Sequence, residues 1–266
     1  METTLQYPKV VPATEWVKRL NISYNSALLL KRRLQLLASD SLTILREVLY
    51  NTLQTEFKGY QLPLHQGNGK SSADSVVLYS ASQRANKGRK RRKHSGQTAS
   101  IYLSDSLGGK QIGTLVHTIA FQNGAVFYDA IQDQTADTLL PLIKATVPKE
   151  CPIYTDEAYS FLNRIYPNYR AVNHSKKGKY SRFAKDRWSQ DGVHNQLAEG
   201  RNSVLKTAFR IYRYISPEYA PLYLNEFSFF ANLKALGWDI LTKPQSSALG
   251  FVSEVGRQSL TGYFVN

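Results

Sequence analysis

The stretch CPIYTDEAYSFLNR, residues 151–164, decides how the rest of the chain is read. Its first part, PIYTD, is a short apolar strand that ends on acids, and EAYSFLNRIY continues with helical spacing. Strand followed by helix is the unit of open α/β sheets, which bind their ligands beyond the carboxyl ends of the strands. Asp156 stands at such an end. A carboxylate there is notable because Lys and Arg outnumber Asp and Glu by 34 to 20, a formal net charge of +14. That excess calls for a polyanionic partner, nucleic acid before an anionic membrane surface. No apolar run approaches the ~18 residues of a spanning helix, and METTLQYPKV lacks the basic start and apolar core of a signal peptide. The expected location is cytoplasmic and nucleoid-associated, with no membrane partner. The single cysteine, Cys151, excludes an internal disulfide and a zinc ribbon built of cysteine pairs. It reads as a small buried apolar residue.

Working outward, the preceding segments VVLYS (76–80), ASIYLS (99–104), GTLVHTIAF (113–121) and AVFYDAI (125–131) are short, β-branched or aromatic, and separated by Gly, Asn and Ser. TADTLLPLIKATV follows with a Thr cap and helical spacing, and Pro141 sets a first-turn position or a kink. After 151–164 come the strand YRAVNH and a helical stretch from about His194 to Tyr214. A run of strands and then alternating helix and strand predicts a mixed sheet flanked by helices.

The N-terminal part is helical from Thr14 to about Lys58. TEWVKRL is broken by NIS, and YNSALLLKRRLQLLA resumes behind Ser23 as a cap. A short helix, a tight turn and a longer helix bearing Lys31, Arg32 and Arg33 suit a helix-turn-helix, and equally an ordinary helical hairpin. HQGNGKSSADS, rich in Gly and Ser, reads as a linker. The expected division is a helical DNA-binding region at 1–64, a linker at 65–75, an α/β domain at 76–239 and a tail at 240–266.

Two basic runs interrupt the α/β part. RANKGRKRRK, residues 84–93, contains Lys87, Arg89, Lys90, Arg91, Arg92 and Lys93, so it is a loop held open by self-repulsion. NHSKKGKYSRFAKDRW, residues 173–188, sets Lys176, Lys177, Lys179 and Arg182 among aromatic residues. Cations neutralise phosphates and aromatic rings stack on unpaired bases, so the chain should contact duplex DNA, with single-stranded RNA the weaker alternative.

Downstream, HNQLAEGRNSVLK (194–206) puts Glu199 and Lys206 on one helix face, nearly two turns apart. A carboxylate able to hold a divalent ion and a lysine able to grip an adjacent phosphate would then serve one site. A solvated Glu/Lys surface pair is the plainer reading, and His194 is equally a cap or surface group.

Taken in order, IYTDEAYSF, VNHSKKGKY, the His-x4-Glu-x6-Lys spacing of His194, Glu199 and Lys206, and YLNEFSFFAN (223–232) resemble the insertion-sequence transposases of the DDE superfamily, in the branch related to the Merlin elements. RLNISYNSALLLKRRL is similar to that family's helix-turn-helix, and TADTLLPLI to the helix ahead of its second acidic strand. The resemblance implies a ribonuclease-H-like fold in which three carboxylates bind two Mg²⁺ or Mn²⁺ ions, cut DNA at an element's end and join it to a target. It further implies a homodimer or higher homo-oligomer on DNA. Asp156 matches the second acid and Glu199 the third, so both are candidate metal ligands. Lys206 and His194 would be catalytic neighbours. Set against the family's first strand, the first acid falls at Tyr79, and an un-ionised phenol is a poor magnesium ligand. Asp74, read as lying just before the strand, Asp105 and Asp129 are the nearby carboxylates. The expectation is a transposase descendant with an incomplete triad that keeps duplex-DNA binding, with Mg²⁺ or Mn²⁺ as cofactor if it is active and otherwise none required. An active metal-dependent transposase is the alternative.

Overall fold

A computed structural model describes residues 11–62, 70–79, 101–173, 189 and 192–241. Helix α1 (Ala13–Leu20) ends where Asn21 turns left-handed, at φ 50° and ψ 47°. Helix α2 (Tyr24–Glu56) starts two residues later, capped by Ser23, whose hydroxyl oxygen accepts the Ser26 N–H at 3.1 Å. Its buried residues Ala27, Lys31, Leu34, Ala38, Leu42, Leu45, Leu49 and Leu53 recur every three or four positions, which makes one continuous stripe.

The sheet has five strands in the order β3-β2-β1-β4-β5. These are β1 (Ser71–Tyr79), β2 (Gly113–Phe121), β3 (Val126–Ile131), β4 (Ile153–Asp156) and β5 (Tyr169–Val172). The first three form an antiparallel meander, and β4 and β5 join the far side of β1 in parallel. All nine residues of β2 are buried, so both faces of the sheet are covered. Leu115, Ile119 and Phe121 face a core shared with α2 and helix α3 (Ala136–Thr146). Val116 and Ala120 face a second core with helix α4 (Gln196–Phe209). Helix α5 (Ala220–Leu236) contributes to both. This is a ribonuclease-H-like α/β fold, preceded by a helical region as expected.

Several expectations change. Five residues assigned to the linker, Ser71 to Ser75, are strand, held between β2 and β4. Of ASIYLS, residues 101–104 are described, and among them an isolated bridge between Tyr102 and Gln111 replaces the expected strand. Residues Glu157–Arg164 wind as a 3₁₀ helix with a kink at Tyr159. Pro141 lies inside α3, beyond its first turn. The N-terminal helices do not stand apart, because the α2 stripe belongs to the same core as β2 and α5.

Lys31 marks that docking. Its ammonium donates to both carboxylate oxygens of Glu226, at 3.0 and 2.9 Å, and to the Val11 carbonyl at 2.8 Å. Gln35 donates to the same carboxylate at 3.0 Å. Burial pulls Lys31 below its ordinary pKa and pushes Glu226 above its own, while their mutual attraction opposes both shifts. Such a pair adds little net stability. The five buried leucines of α2 contribute roughly 2 kcal/mol each, so they, more than the ion pair, hold the helix. Lys31 is therefore not available to a phosphate, and its assignment to DNA binding is corrected.

Candidate active site

Strands β1 and β4 run parallel with Ser71 opposite Ile153 and Ser72 opposite Tyr154. Two residues further along that register, Asp74 comes level with Asp156, the last residue of β4. Asp74 thus lies inside the central strand, whereas the sequence reading put it before the strand. Tyr79 stands five residues beyond, opposite Gly113 at the strand's end. Asp156 is half-buried and caps the following 3₁₀ helix, accepting the Ala158 N–H at 3.1 Å.

Helix α4 carries Glu199, the residue that the resemblance matches to the third acid. Ala198, Leu205 and Ala208 bury one of its faces in the core shared with β1 and β2, and Glu199 sits half-buried in its first turn. One turn on, Asn202 Nδ2 donates to Asp74 Oδ2 at 2.8 Å. The other Asp74 oxygen accepts the Ser75 N–H at 2.7 Å. Burial pushes the Asp74 carboxyl up to about 6, the charges of Asp156 and Glu199 add to that rise, and the two N–H donors oppose it. The three acids therefore share one electrostatic environment. Among the described residues, no group of three His, Cys, Asp or Glu side chains is gathered tightly enough to hold an ion. In chemistry the set is all carboxylate, the hard oxygen donors that suit Mg²⁺ or Mn²⁺. A half-buried carboxyl raised by the charges of two others, with neutral N–H donors against its oxygens among the described residues, fits a group that a cation would relieve.

Behind β1, on the opposite face, Ser75 Oγ lies 2.8 Å from the Tyr159 hydroxyl, which lies 3.1 Å from His117 Nδ1. Burial holds His117 down at about 3, with the charge of Arg46 adding, and it raises the Tyr159 phenol well above its usual range. Both groups are neutral near pH 7 and support the strand from below. Asp129 is committed to Arg46 at 2.8 Å, and Asp105 is exposed in a 3₁₀ turn, so neither replaces a first acid.

Lys206 is exposed on α4, two turns from Glu199, and His194 precedes the helix half-buried, its Nδ1 without a hydrogen-bond partner among the described residues. Arg32 is half-buried over the Tyr219 ring, 5.2 Å from its centroid, and Arg33 is exposed. Lys87, Arg89, Lys90, Arg91, Arg92 and Lys93, and Lys176, Lys177, Lys179 and Arg182, lie outside the described residues. Asn202, Thr118, Ser75, His117 and Tyr159 drew no attention in the sequence. Only the Glu199–Asn202 spacing of one helical turn could have signalled the first of them.

Residues 68–232, more than half of the chain, match the ISXO2-like transposase domain. The chain belongs to the DDE superfamily of insertion-sequence transposases. No curated protein and no solved structure matches it. In this transposase the matched span runs from just before β1 into α5 and contains Asp74, Asp156, Glu199 and Lys206. Helix α1 and all of α2 precede it. Members of the superfamily typically use divalent metal and act on DNA. Among the described residues, no helix is long and apolar enough to cross a membrane.

Proposed function

We propose that this transposase is a metal-dependent DNA strand-cleaving and strand-joining enzyme whose three acids are Asp74, Asp156 and Glu199. The observation that carries the proposal is the register of β1 on β4, which sets Asp74 level with Asp156 while Asn202, from the helix of Glu199, grips Asp74. The triad is then complete, with Asp74 in the role that the resemblance gave to Tyr79. The carboxylates hold the divalent ions, which when bound stabilise the attacking and leaving oxygens of a phosphodiester displacement. Lys206 reaches from the same helix as Glu199 toward the phosphate beside the scissile bond, and His194 flanks the helix start. The runs 84–93 and 173–188 and the exposed Arg33 neutralise duplex phosphates, which binds and orients the DNA. Two or more copies pair two DNA ends.

The test is incubation of the protein with labelled duplex DNA and Mg²⁺ or Mn²⁺, alongside Asp74→Asn and Asp156→Asn. Metal-dependent cleavage lost in both variants supports the triad. Cleavage that survives Asp74→Asn removes Asp74 from the site. Tight, salt-sensitive binding by the wild type with no cleavage returns the reading to a DNA-binding descendant.

A further inference from the structure

The Asp74 carboxylate is held from two sides by groups on different elements. One is its own neighbour, the Ser75 N–H; the other, Asn202, comes from α4. Asn202 is 5 % exposed, and its remaining amide oxygen accepts the hydroxyl proton of Thr118 at 2.6 Å. Thr118 is fully buried on β2 and pairs directly with Asp74 across the ladder. Residues opposite one another on neighbouring strands share a face, so Thr118 and Asp74 both point to α4.

The chemistry of this arrangement is directional. An amide has a donor end and an acceptor end, and a carboxylate accepts only. The Thr118 hydroxyl, by donating to Oδ1, fixes the amide so that its N–H₂ end faces Asp74. Were the amide reversed, Oδ1 would meet Asp74 Oδ2 and two acceptors would oppose each other. Asn202 is also one turn from Glu199 on the same helix face, so the bond that orients Asp74 ties the first acid to the element that carries the third.

We propose that Asn202 is a positioning residue of the proposed metal site: it holds Asp74 Oδ2 at a set angle while the Ser75 N–H holds Oδ1, each oxygen keeping a second lone pair for the ion, with Thr118 fixing which way the amide points. The inference rests on the assignment of Asp74 as the first acid. Partners of this kind behind a ligating carboxylate commonly change metal affinity tenfold to a hundredfold when removed.

The test uses the full chain and Mn²⁺ alone as the probe. Mn²⁺ is titrated against thermal stability without DNA, and then against cleavage of duplex DNA, for the wild type, Asn202→Leu, Thr118→Val and Asp74→Asn. Asn202→Leu removes the donor at similar size, whereas Thr118→Val keeps the amide and removes only its orienting hydroxyl. The expected result is that both variants need about tenfold more Mn²⁺ for half-maximal stabilisation and half-maximal cleavage, with cleavage recovering at excess Mn²⁺. Unchanged Mn²⁺ half-saturation in both, even with lower melting temperatures, would overturn the proposal and leave Asn202 as a pin between α4 and the sheet. If Asn202→Leu fails to fold, Thr118→Val decides by the same criterion. Asp74→Asn separates the two layers of argument. Wild-type Mn²⁺ dependence in that variant would remove the underlying assignment, whereas loss of Mn²⁺ dependence there, with none at positions 202 and 118, would remove only this inference.

Discussion

Asp74 and Tyr79 lie on one strand, five residues apart, and only one of them can serve as first acid. The half-buried carboxyl of Asp74 feels the charges of two other carboxylates; Tyr79 ends β1 opposite Gly113. Tyr79→Phe is expected to leave metal-dependent cleavage intact, and Asp74→Asn to abolish it, measured on one labelled duplex under identical metal. The positions of Asp156 at a strand tip and Glu199 on a helix were legible because both elements are written in local apolar spacing, and the resemblance proposed them as acids. Asp74 was not, because Ser and Asp are poor strand formers and SSADS reads as a turn. Its conformation comes from flanking β2 and β4. His117 carries a second expectation. Its folded pKa is held near 3 against about 6.5 for the free side chain, so the unfolded chain takes up the proton first as pH falls. The stability it contributes is complete above about pH 6.5 and is lost progressively toward pH 3, up to about 5 kcal/mol. Chemical denaturation between pH 7 and 4 should show a shallower acid loss in His117→Gln than in the wild type.

At the scale of elements, α2 shows how one basic segment serves two purposes. Of Lys31, Arg32 and Arg33, the first is buried on Glu226, the second lies against Tyr219 and the third is exposed. The sequence contains three adjacent cations and no indication of which faces inward until the partner helix α5 is in place. Removing one member of a buried pair leaves the other charge uncompensated, so Lys31→Met should cost about 3–5 kcal/mol in urea unfolding. The double variant Lys31→Met/Glu226→Leu should recover most of that loss, since two apolar groups can occupy the same space. If the single variant is as stable as the wild type, the pair plays no part in holding α2. The helical nature of α2 and the strand nature of GTLVHTIAF were plain from periodicity and β-branching. The 3₁₀ winding of 157–164 was not, because its apolar spacing satisfies either helix and Asp156, its cap, sets the entry.

For the whole molecule, the excess of 14 positive charges predicts DNA affinity that falls steeply with salt. Replacing Arg89, Lys90, Arg91, Arg92 and Lys93 by serine should reduce the slope of log affinity against log salt by up to about 4, and weaken binding to all sequences alike. An unchanged slope in a filter-binding series would mean that this run does not contact phosphate. Lys31→Met should leave the slope unaltered, since a buried ammonium releases no counterion. The sequence alone determined the helical start and the mixed sheet, because those follow from local spacing and composition, and its ordered motifs carried the resemblance that gave the family and two of the three proposed acids. Tertiary structure decided that Asp74 belongs to the central strand, that Asn202 and Thr118 stand behind it, and that Lys31 faces the core. Each depends on the register of one strand against another or on which face of a helix meets the sheet, and such pairings between residues far apart in the chain leave no trace in any single segment.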